Sequence, residues 1–405
     1  MQLSMKQERK YFGLSRNVFF AGLVSLFMDV SSEMIYPLLP LFLSSVLGVN
    51  KSLIGLIEGI AESTASLFKV FSGWLSDRIG QRKSLMLAGY AISTLSRPII
   101  ALAGGWPQVL AARVVDRLGK GVRTAPRDAI IAESTETDHL ARAFSFHRSL
   151  DTMGAVLGPA IAFVLLRLHH NNYQMVFWYS MIPGLIAILI IVVFIKVKKR
   201  ASVAPHERLR LTIRHFDGKV RFFILIATIF ALGNSSDAFL ILRAVQLGIP
   251  GMMIPAVYLL FNLSYALSAI PAGIVADKYG RKRIILLGFI LFAALYYGFA
   301  VAGSIAAIWV LFIVYGVFMG LTEGIQKAFL STIIPEEFKA TAFGVYASAV
   351  GLATLPASLI GGLLWDRVSP AATFYFGAAT AVLSTILFIV LIVSIRRSSA
   401  LHNPG

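Results

Sequence analysis

The chain repeats a short charged segment: Gly73–Lys83 reads GWLSDRIGQRK, and Gly273–Arg283 reads GIVADKYGRKR. Asp77 and Asp277 occupy the same place in the two copies, 200 residues apart in a chain of 405. Glycine permits a tight turn, aspartate can cap a helix N-terminus, and the cations hold the loop in water. Two copies at matching positions indicate a chain built from two similar halves.

Long apolar stretches surround both copies. Hydrophobic residues make up 57% of the chain and charged residues 14%, whereas a soluble domain is roughly a quarter charged. Since one span needs about 20 mostly apolar residues, the pattern predicts an all-α membrane protein with twelve transmembrane helices in two pseudo-symmetric six-helix bundles. The predicted helices are 17–47, 52–75, 84–104, 107–131, 141–168, 174–196, 220–247, 252–275, 284–303, 306–332, 341–364 and 371–396.

The basic residues are concentrated in alternate connections between these helices. They account for the net charge of +17, which sets orientation in the membrane and does not indicate nucleic-acid binding. We therefore expect a multi-pass protein of the inner (cytoplasmic) membrane with both termini in the cytoplasm. The polar stretch 196–219 predicts a cytoplasmic linker between an N-terminal bundle, 1–195, and a C-terminal bundle, 220–405.

This orientation predicts a labelling result, because the chain has no native cysteine. Ser304→Cys should react with an impermeant maleimide added outside intact cells, whereas Ser202→Cys should react only after the membrane is opened. The reverse pattern would overturn the orientation.

The loop motif resembles the signature of the major facilitator superfamily between its second and third helices. In that family the motif is thought to lock conformations without touching substrate. The resemblance implies a conformational role for the matching residues and for Asp128, although Gln81 stands where the family usually has a cation. The matching residues are Gly73, Asp77, Arg78, Gly80 and Arg82 in the first copy and Asp277, Gly280 and Arg281 in the second.

A second resemblance lies in the fifth helix. Gly154, Gly158 and Pro159 match the Gly-x-x-x-Gly-Pro motif of the twelve-helix drug/proton antiporters in this superfamily. Small residues four apart permit close helix approach, and a proline bends its helix. The resemblance implies export by a proton antiporter, and the alternative is simple helix packing.

The fourth helix carries RVVDRLGKGVRTAPRD between Arg113 and Asp128. Counting from Trp106 at 1.5 Å per residue places Arg113 ~10 Å and Arg117 ~16 Å into a core ~30 Å thick. Charges at that depth are costly and are functional candidates by default. They must pair with one another, as a structural network between helices, or line a water-filled cavity.

Acidic residues in the first half are candidates for proton coupling. Neighbours four apart on one helix share a face, so one member of each pair could take up a proton. The proton-coupling candidates are Asp29, Glu33, Glu58, Glu62 and Asp151.

Intramembrane cations and the polar residues of the second half are candidates for substrate binding. Arg117, Lys120 and Gly121 resemble the superfamily's Arg-x-x-Gln-Gly pattern, with Lys in place of Gln. The substrate-binding candidates are Arg97, Arg113, Arg117, Lys120, Asn234, Asp237, Asn262 and Tyr265.

These features predict a secondary transporter, not an enzyme, that exports small organic molecules in exchange for protons by alternating access. The open alternative is an importer or exchanger of a charged, anionic metabolite. An enzyme is disfavoured because His139 and His147, the histidines near acidic residues, lack the spacing of a metal site. We expect no cofactor, metal or nucleic-acid partner; the partners are the lipid bilayer, protons and a small-molecule substrate, and the protein is expected to be a monomer.

Overall fold

In the computed structural model, the chain is described at residues 11, 14–79, 81–136, 139–197, 216–322, 325–334 and 339–402, with the backbone alone at 70, 73–75, 77–79, 141, 339–341 and 396–402. These residues form helices and connecting loops, with one isolated bridge between Tyr11 and Leu14. The first half contains α1 (Arg16–Ile35), α2 (Leu39–Leu41), a π-helical turn (Phe42–Val46), α3 (Lys51–Ile79), α4 (Arg82–Ala101), α5 (Trp106–Glu133), α6 (Leu140–Leu168), α7 (Tyr173–Tyr179) and α8 (Met181–Phe194). The second half contains α9 (Gly218–Gly233), α10 (Ala238–Gln246), a 3-10 turn (Gly251–Met253), α11 (Ile254–Tyr279), α12 (Arg281–Val301), α13 (Ile305–Thr322), α14 (Ile325–Leu330), α15 (Lys339–Arg367) and α16 (Pro370–His402).

Each of the twelve predicted segments coincides with helix in the structure. Within the described residues, nine helical segments are long and apolar enough to cross a membrane. The segments that fall outside this set are α3, α4 and α5. These helices carry Glu58, Glu62, Arg97 and the charges of 113–128, so the residues that make them unusual also lower their apolar character.

Within the described residues, three predicted continuous helices are interrupted. The predicted helix 174–196 is divided at Ser180, between α7 and α8. The predicted helix 17–47 ends at Ile35 and resumes at Leu39, and the predicted helix 220–247 is broken at 234–237, between α9 and α10. Pro37 and Pro40 lack the backbone N–H that a continuous helix would use. At the break between α9 and α10, Gly233 is followed by asparagine and two serines, whose side chains compete with backbone hydrogen bonding.

The described chain falls into two compact units. The first contains Met1–Tyr36 and Phe68–His206. In it α1 packs along α6 and α8, and α4 packs along α5 and α8. A buried apolar cluster holds α1 to its neighbours through Val18, Ala21, Val24 and Met28.

The second compact unit contains Pro37–Leu67 and Glu207–Gly405. In it α11 packs along α13, α12 along α16, and α9 along α15 and α16. The first part of α3 belongs here, because Gly55 and Gly59 lie directly against the backbone of α15 at Ser358 and Leu355. The Asp366 carboxylate accepts hydrogen bonds from the backbone N–H of Ser52 at 2.7 Å and of Lys51 at 3.2 Å. The predicted linker 196–219 lies largely outside the described residues, so the boundaries of the six-helix bundles stay a prediction.

Candidate functional site

The first unit buries three arginines around one carboxylate. Arg97 on α4 lies 3.2 Å, Nη2 to Oδ1, from Asp116 on α5, and Arg113 Nη1 lies 3.8 Å from Asp116 Oδ2. Arg117 is one residue further along α5, and the exposed fraction of its side chain and of the other three residues is at most 6%. Since a helix places residues three and four apart on one face, α5 presents Arg113, Asp116 and Arg117 together. The expected pairing of intramembrane charges is confirmed for Arg97 and Arg113, which both pair with Asp116. The group has an excess of positive charge, since three arginines surround one carboxylate.

Arg97 is held on several sides. Its Nε donates to Ser31 Oγ at 3.1 Å and its Nη2 donates to Ser32 Oγ at 2.9 Å, both on α1. These contacts, with the bond to Asp116, fix the guanidinium between α1, α4 and α5. Such an arrangement suits a residue that orients its neighbours. Sequence analysis assigned no role to Asp116, although its position three after Arg113 gave the signal.

Arg113 and Arg117 both approach the ring of Tyr36, which follows the last residue of α1. Their guanidinium carbons lie 5.8 Å and 5.9 Å from the ring centroid. A cation over an aromatic face at this distance is attracted by the ring quadrupole. The two buried cations and the ring therefore form one cluster whose positive charge favours an anionic group.

The glycines of α6 lie against the candidate carboxylates of α1. A Cβ atom added to Gly154 would lie 2.9 Å from Asp29 Cβ, and one added to Gly158 would lie 2.6 Å from Glu33 Cβ. Any residue larger than glycine would push the two helices apart. The close approach expected from the glycine spacing is confirmed, and it occurs at the two carboxylates. Pro159 lies inside α6 directly after Gly158.

Gly158→Ala should destabilise the protein by about 1–3 kcal/mol, because the added methyl group overpacks the contact with α1. The expected result is a lower melting temperature in detergent. Gly273→Ala is the matched control, since Gly273 lies within α11 and nothing lies within 4 Å of an added Cβ. Equal melting temperatures for the two variants would contradict the packing role of Gly158.

Asp29 and Asp151 bring their carboxyl groups close to each other at the contact of α1 with α6. Two ionised carboxylates at one buried place repel each other, so such a pair favours a state in which one of them holds a proton. Lys120 and Glu33 are near enough to Asp29 for their charges to act on it. On the other side, Arg148 Nη1 donates to Asp151 Oδ2 at 3.2 Å. The partner expected for Asp29 was Glu33 on its own helix; the structure gives it Asp151.

His147 and Ser25 extend this cluster along α1 and α6. Ser25 Oγ and His147 Nε2 are 2.7 Å apart, and Arg127 Nη1 donates to Ser25 Oγ at 3.2 Å. The guanidinium of Arg127 also pairs with Asp128 at 2.9 Å. Sequence analysis considered His147 only as a metal or catalytic residue, although it precedes Asp151 by four residues and therefore shares its helix face.

The second unit gathers a separate group of polar residues. Tyr315 Oη on α13 donates to Asp237 Oδ1 at 2.8 Å, and Tyr296 Oη on α12 donates to Asn234 Oδ1 at 3.4 Å. Glu58 and Glu62, on the part of α3 that belongs to this unit, are close enough to Asp237 for their charges to interact. Asn234 and Asp237 thus are the first and last residues of the break between α9 and α10, which places backbone polar groups beside these side chains.

Aromatic rings adjoin this second group. Phe261 on α11 stacks on Tyr315 with a centroid separation of 5.3 Å, and Tyr258 lies 5.1 Å from Phe261. Asn262 follows Phe261 and is 5% exposed, and Tyr265 lies one turn further along α11. The two units therefore carry different chemistry, because arginines dominate the first group and carboxylates with aromatic rings dominate the second.

The loop motifs are described in part. In the second copy, Arg281 Nη2 lies 3.6 Å from Asp277 Oδ1, and Gly280 adopts a φ of 92°, which suits glycine. In the first copy, Arg82 pairs with Glu133 at the end of α5. Gly80 lies outside the described residues, and Gly73, Asp77 and Arg78 are described in their backbone alone, so the expected role of these residues stays a prediction.

Comparison with known proteins gives consistent matches. A family model described as "Major Facilitator Superfamily" matches residues 21–259 and 223–405. The chain is 37% identical over 386 residues to the uncharacterised MFS-type transporter MJ1317 of Methanocaldococcus jannaschii, covering 93% of this chain and 95% of that protein. It is 25% identical to the multi-drug resistance efflux pump PmrA homolog of Lactococcus lactis, covering 93% of each.

A solved structure shares the architecture. The crystal structure of a POT family transporter in complex with 5-aminolevulinic acid superposes with a TM-score of 0.80, covering 95% of this chain and 97% of that one. The sequence identity is 13%, so this likeness concerns the fold alone.

Proposed function

This chain belongs to the Major Facilitator Superfamily, and from that membership we propose that it is a twelve-span secondary transporter that exports small organic molecules in exchange for protons. It is a membrane transporter and not an enzyme. The observation that carries the proposal is the closeness of the Asp29 and Asp151 carboxyl groups at the contact of α1 and α6. Intramembrane carboxyl groups of this kind are the usual elements of proton relays in transporters.

The surroundings of the pair support a group that can gain and lose one proton. Lys120 acts on Asp29, and Arg127 and Arg148 act on Asp151. When the shared proton leaves, these cations stabilise the negative charge that remains. When the proton returns, it neutralises one carboxyl group and removes the repulsion between the two. His147 and Ser25, beside Arg127, offer a route from the pair toward the cytoplasmic end of α6.

We propose that alternating access uses this exchange. A carboxylate in the membrane can be neutralised by a proton or by an opposite charge on the substrate, so the two compete for one site. The direction we propose, export, is supported by the Lactococcus lactis relative, whose name describes a multi-drug efflux pump. The remaining elements of the proposal are location in the inner membrane, both termini in the cytoplasm and a monomeric state.

The second candidate function is import or exchange of an anionic metabolite. The observation that favours it is the placement of Arg113 and Arg117 beside Tyr36. Two buried cations with one shared aromatic face would bind a carboxylate or phosphate, whereas the group at Asp237, Glu58 and Glu62 would favour a cationic or neutral polar group.

Transport by purified protein in proteoliposomes tests both candidates. Radiolabelled cationic, neutral and anionic organic compounds are offered with a pH gradient imposed in either direction. Proton-coupled export predicts that a compound moves uphill against the proton flow and that collapsing the gradient with an ionophore stops it. Uphill movement of an anionic compound with the proton flow would select the second candidate. Transport that ignores the gradient would contradict the proposal of proton coupling.

A further inference from the structure

A groove of about 860 Å³ lies in the second unit where α11 ends and α12 begins, with α14 and α16 contributing its walls. We refer to it as the basic groove. Its rim is formed by Asp277, Lys278, Arg281, Lys282 and Arg283. Four cationic side chains and one carboxylate thus line it, so the rim attracts anions.

The turn at Gly280 creates this concentration of charge. Its φ of 92° reverses the chain between α11 and α12, so cations from both helix ends meet at one place. Arg281 is anchored there, because its Nη1 donates to the carbonyl oxygen of Ala328 at 3.1 Å and its Nη2 lies 3.6 Å from Asp277. Lys278, Lys282 and Arg283 complete the positive rim around this anchored residue.

The rest of the lining of the basic groove is largely apolar. Leu286 and Phe329 contribute to it, and so do Ile389, Ile392 and Val393 on α16. Ile389 and Val393 are 44% and 43% exposed, and both belong to the membrane-spanning part of α16, Pro370–Ile395. Apolar side chains exposed on a membrane span contact acyl chains, so the groove joins a charged rim to a lipid-facing wall.

We propose that the basic groove binds an anionic phospholipid of the cytoplasmic leaflet. The phosphate lies among Lys278, Lys282 and Arg283, and an acyl chain lies along Ile389 and Val393. Basic pockets between helices on the cytoplasmic side are suited to anionic headgroups. A soluble phosphate compound would use the rim alone, whereas a phospholipid places its headgroup at the rim and its own acyl chain on the adjoining apolar wall, which is why we assign a lipid.

Native mass spectrometry of the purified full chain in detergent tests this assignment. The probes are phosphatidylglycerol, phosphatidylcholine with the same acyl chains, and glycerol phosphate. We expect phosphatidylglycerol to bind at least ~5-fold more tightly than phosphatidylcholine, and glycerol phosphate to leave the bound lipid in place. Equal binding of the two lipids, or displacement by glycerol phosphate, would overturn the proposal.

Charge-neutralising variants locate the site. The triple variant Lys278→Gln, Lys282→Gln, Arg283→Gln should weaken phosphatidylglycerol binding by at least ~10-fold, while Arg281 keeps its contact with α14. The control triple variant Lys219→Gln, Arg221→Gln, Lys327→Gln removes the same charge from described positions outside the groove lining and should change binding by less than ~2-fold. An equal loss in both would mean a general charge effect and would overturn the proposal.

A single change keeps the test decisive if the triple variant fails to fold. Lys282→Gln alone should weaken phosphatidylglycerol binding by at least ~2-fold and leave the melting temperature in lipid-free detergent unchanged. Unaltered lipid binding in this folded variant would contradict the placement of the phosphate.

Discussion

Replacing Asp29 by asparagine will abolish uphill, pH-driven transport while leaving substrate binding measurable. Asparagine has nearly the same shape as aspartate and can occupy the same place beside Asp151, but it cannot release or accept a proton. Removing a positioned proton carrier costs ~100-fold or more in rate. We therefore expect initial rates of uphill transport in proteoliposomes to fall by ~100-fold or more. Binding should persist, with a flatter dependence on pH, because one titrating group has been removed.

The pairing of Asp29 with Asp151 makes this prediction specific. Asp151→Asn should give the same loss as Asp29→Asn, because either change removes the shared proton, and Glu33→Gln should also impair coupling since Glu33 acts on Asp29. Asp217→Asn is the control, since Asp217 is an exposed carboxylate at the start of α9. If Asp29→Asn and Asp151→Asn both keep uphill transport with wild-type pH dependence, the pair is not the coupling site. Glu58 and Glu62 would then be the next candidates for proton coupling.

Replacing Arg97 by methionine will destabilise the protein strongly. The change leaves Asp116 buried beside fewer cations and removes hydrogen bonds to Ser31 and Ser32. Removing one partner of a buried ion pair costs about 3–5 kcal/mol, because the other charge stays buried. The melting temperature in detergent should therefore fall by many degrees. Arg221→Met, at an exposed position, should leave it nearly unchanged.

A double variant separates the pair from the rest of the network. Arg97→Met with Asp116→Leu removes both charges of the pair. Asp116→Leu also leaves Arg113 and Arg117 without their shared carboxylate, so the double variant should stay less stable than the wild type, but its loss should be smaller than the sum of the two single losses. If the loss of stability in the double variant equals the sum of the losses in the two single variants, Arg97 and Asp116 act independently. The interpretation of Arg97 as a residue that orients α1, α4 and α5 would then be wrong.

Sequence reasoning succeeds where the physical signal is local. Apolar length marks the helices, and each of the twelve predicted segments coincides with helix. Counting depth along α5 places Arg113 and Arg117 at the level of Arg97, and the structure joins them through Asp116. The glycine spacing at Gly154 and Gly158 predicts a close helix contact, although the sequence does not say which helix lies opposite.

Partners on distant helices are not accessible from a single sequence. Asp29 shares a helix face with Glu33, so the periodicity suggested that pair, while Asp151 is far along the chain and is brought near by the packing of α6 on α1. The break at 234–237 was missed for a related reason. The helix pattern on both sides is strong, and Ser236 N–H finds Ser358 Oγ on α15 at 3.2 Å, a partner that tertiary structure alone supplies.

The break between α9 and α10 also allows hydration within the second unit to be measured by hydrogen exchange. Amide hydrogens in an unbroken membrane helix exchange with deuterium slowly, since their bonds lie within the helix and the lipid core holds no water. Ser236 instead donates its N–H to a serine hydroxyl, a bond that water can replace. Deuterium uptake at 235–237 should therefore rise when the adjoining space is hydrated and fall when a solute fills it. The time course of deuterium uptake would therefore show whether a solute occupies that space, without any attached probe.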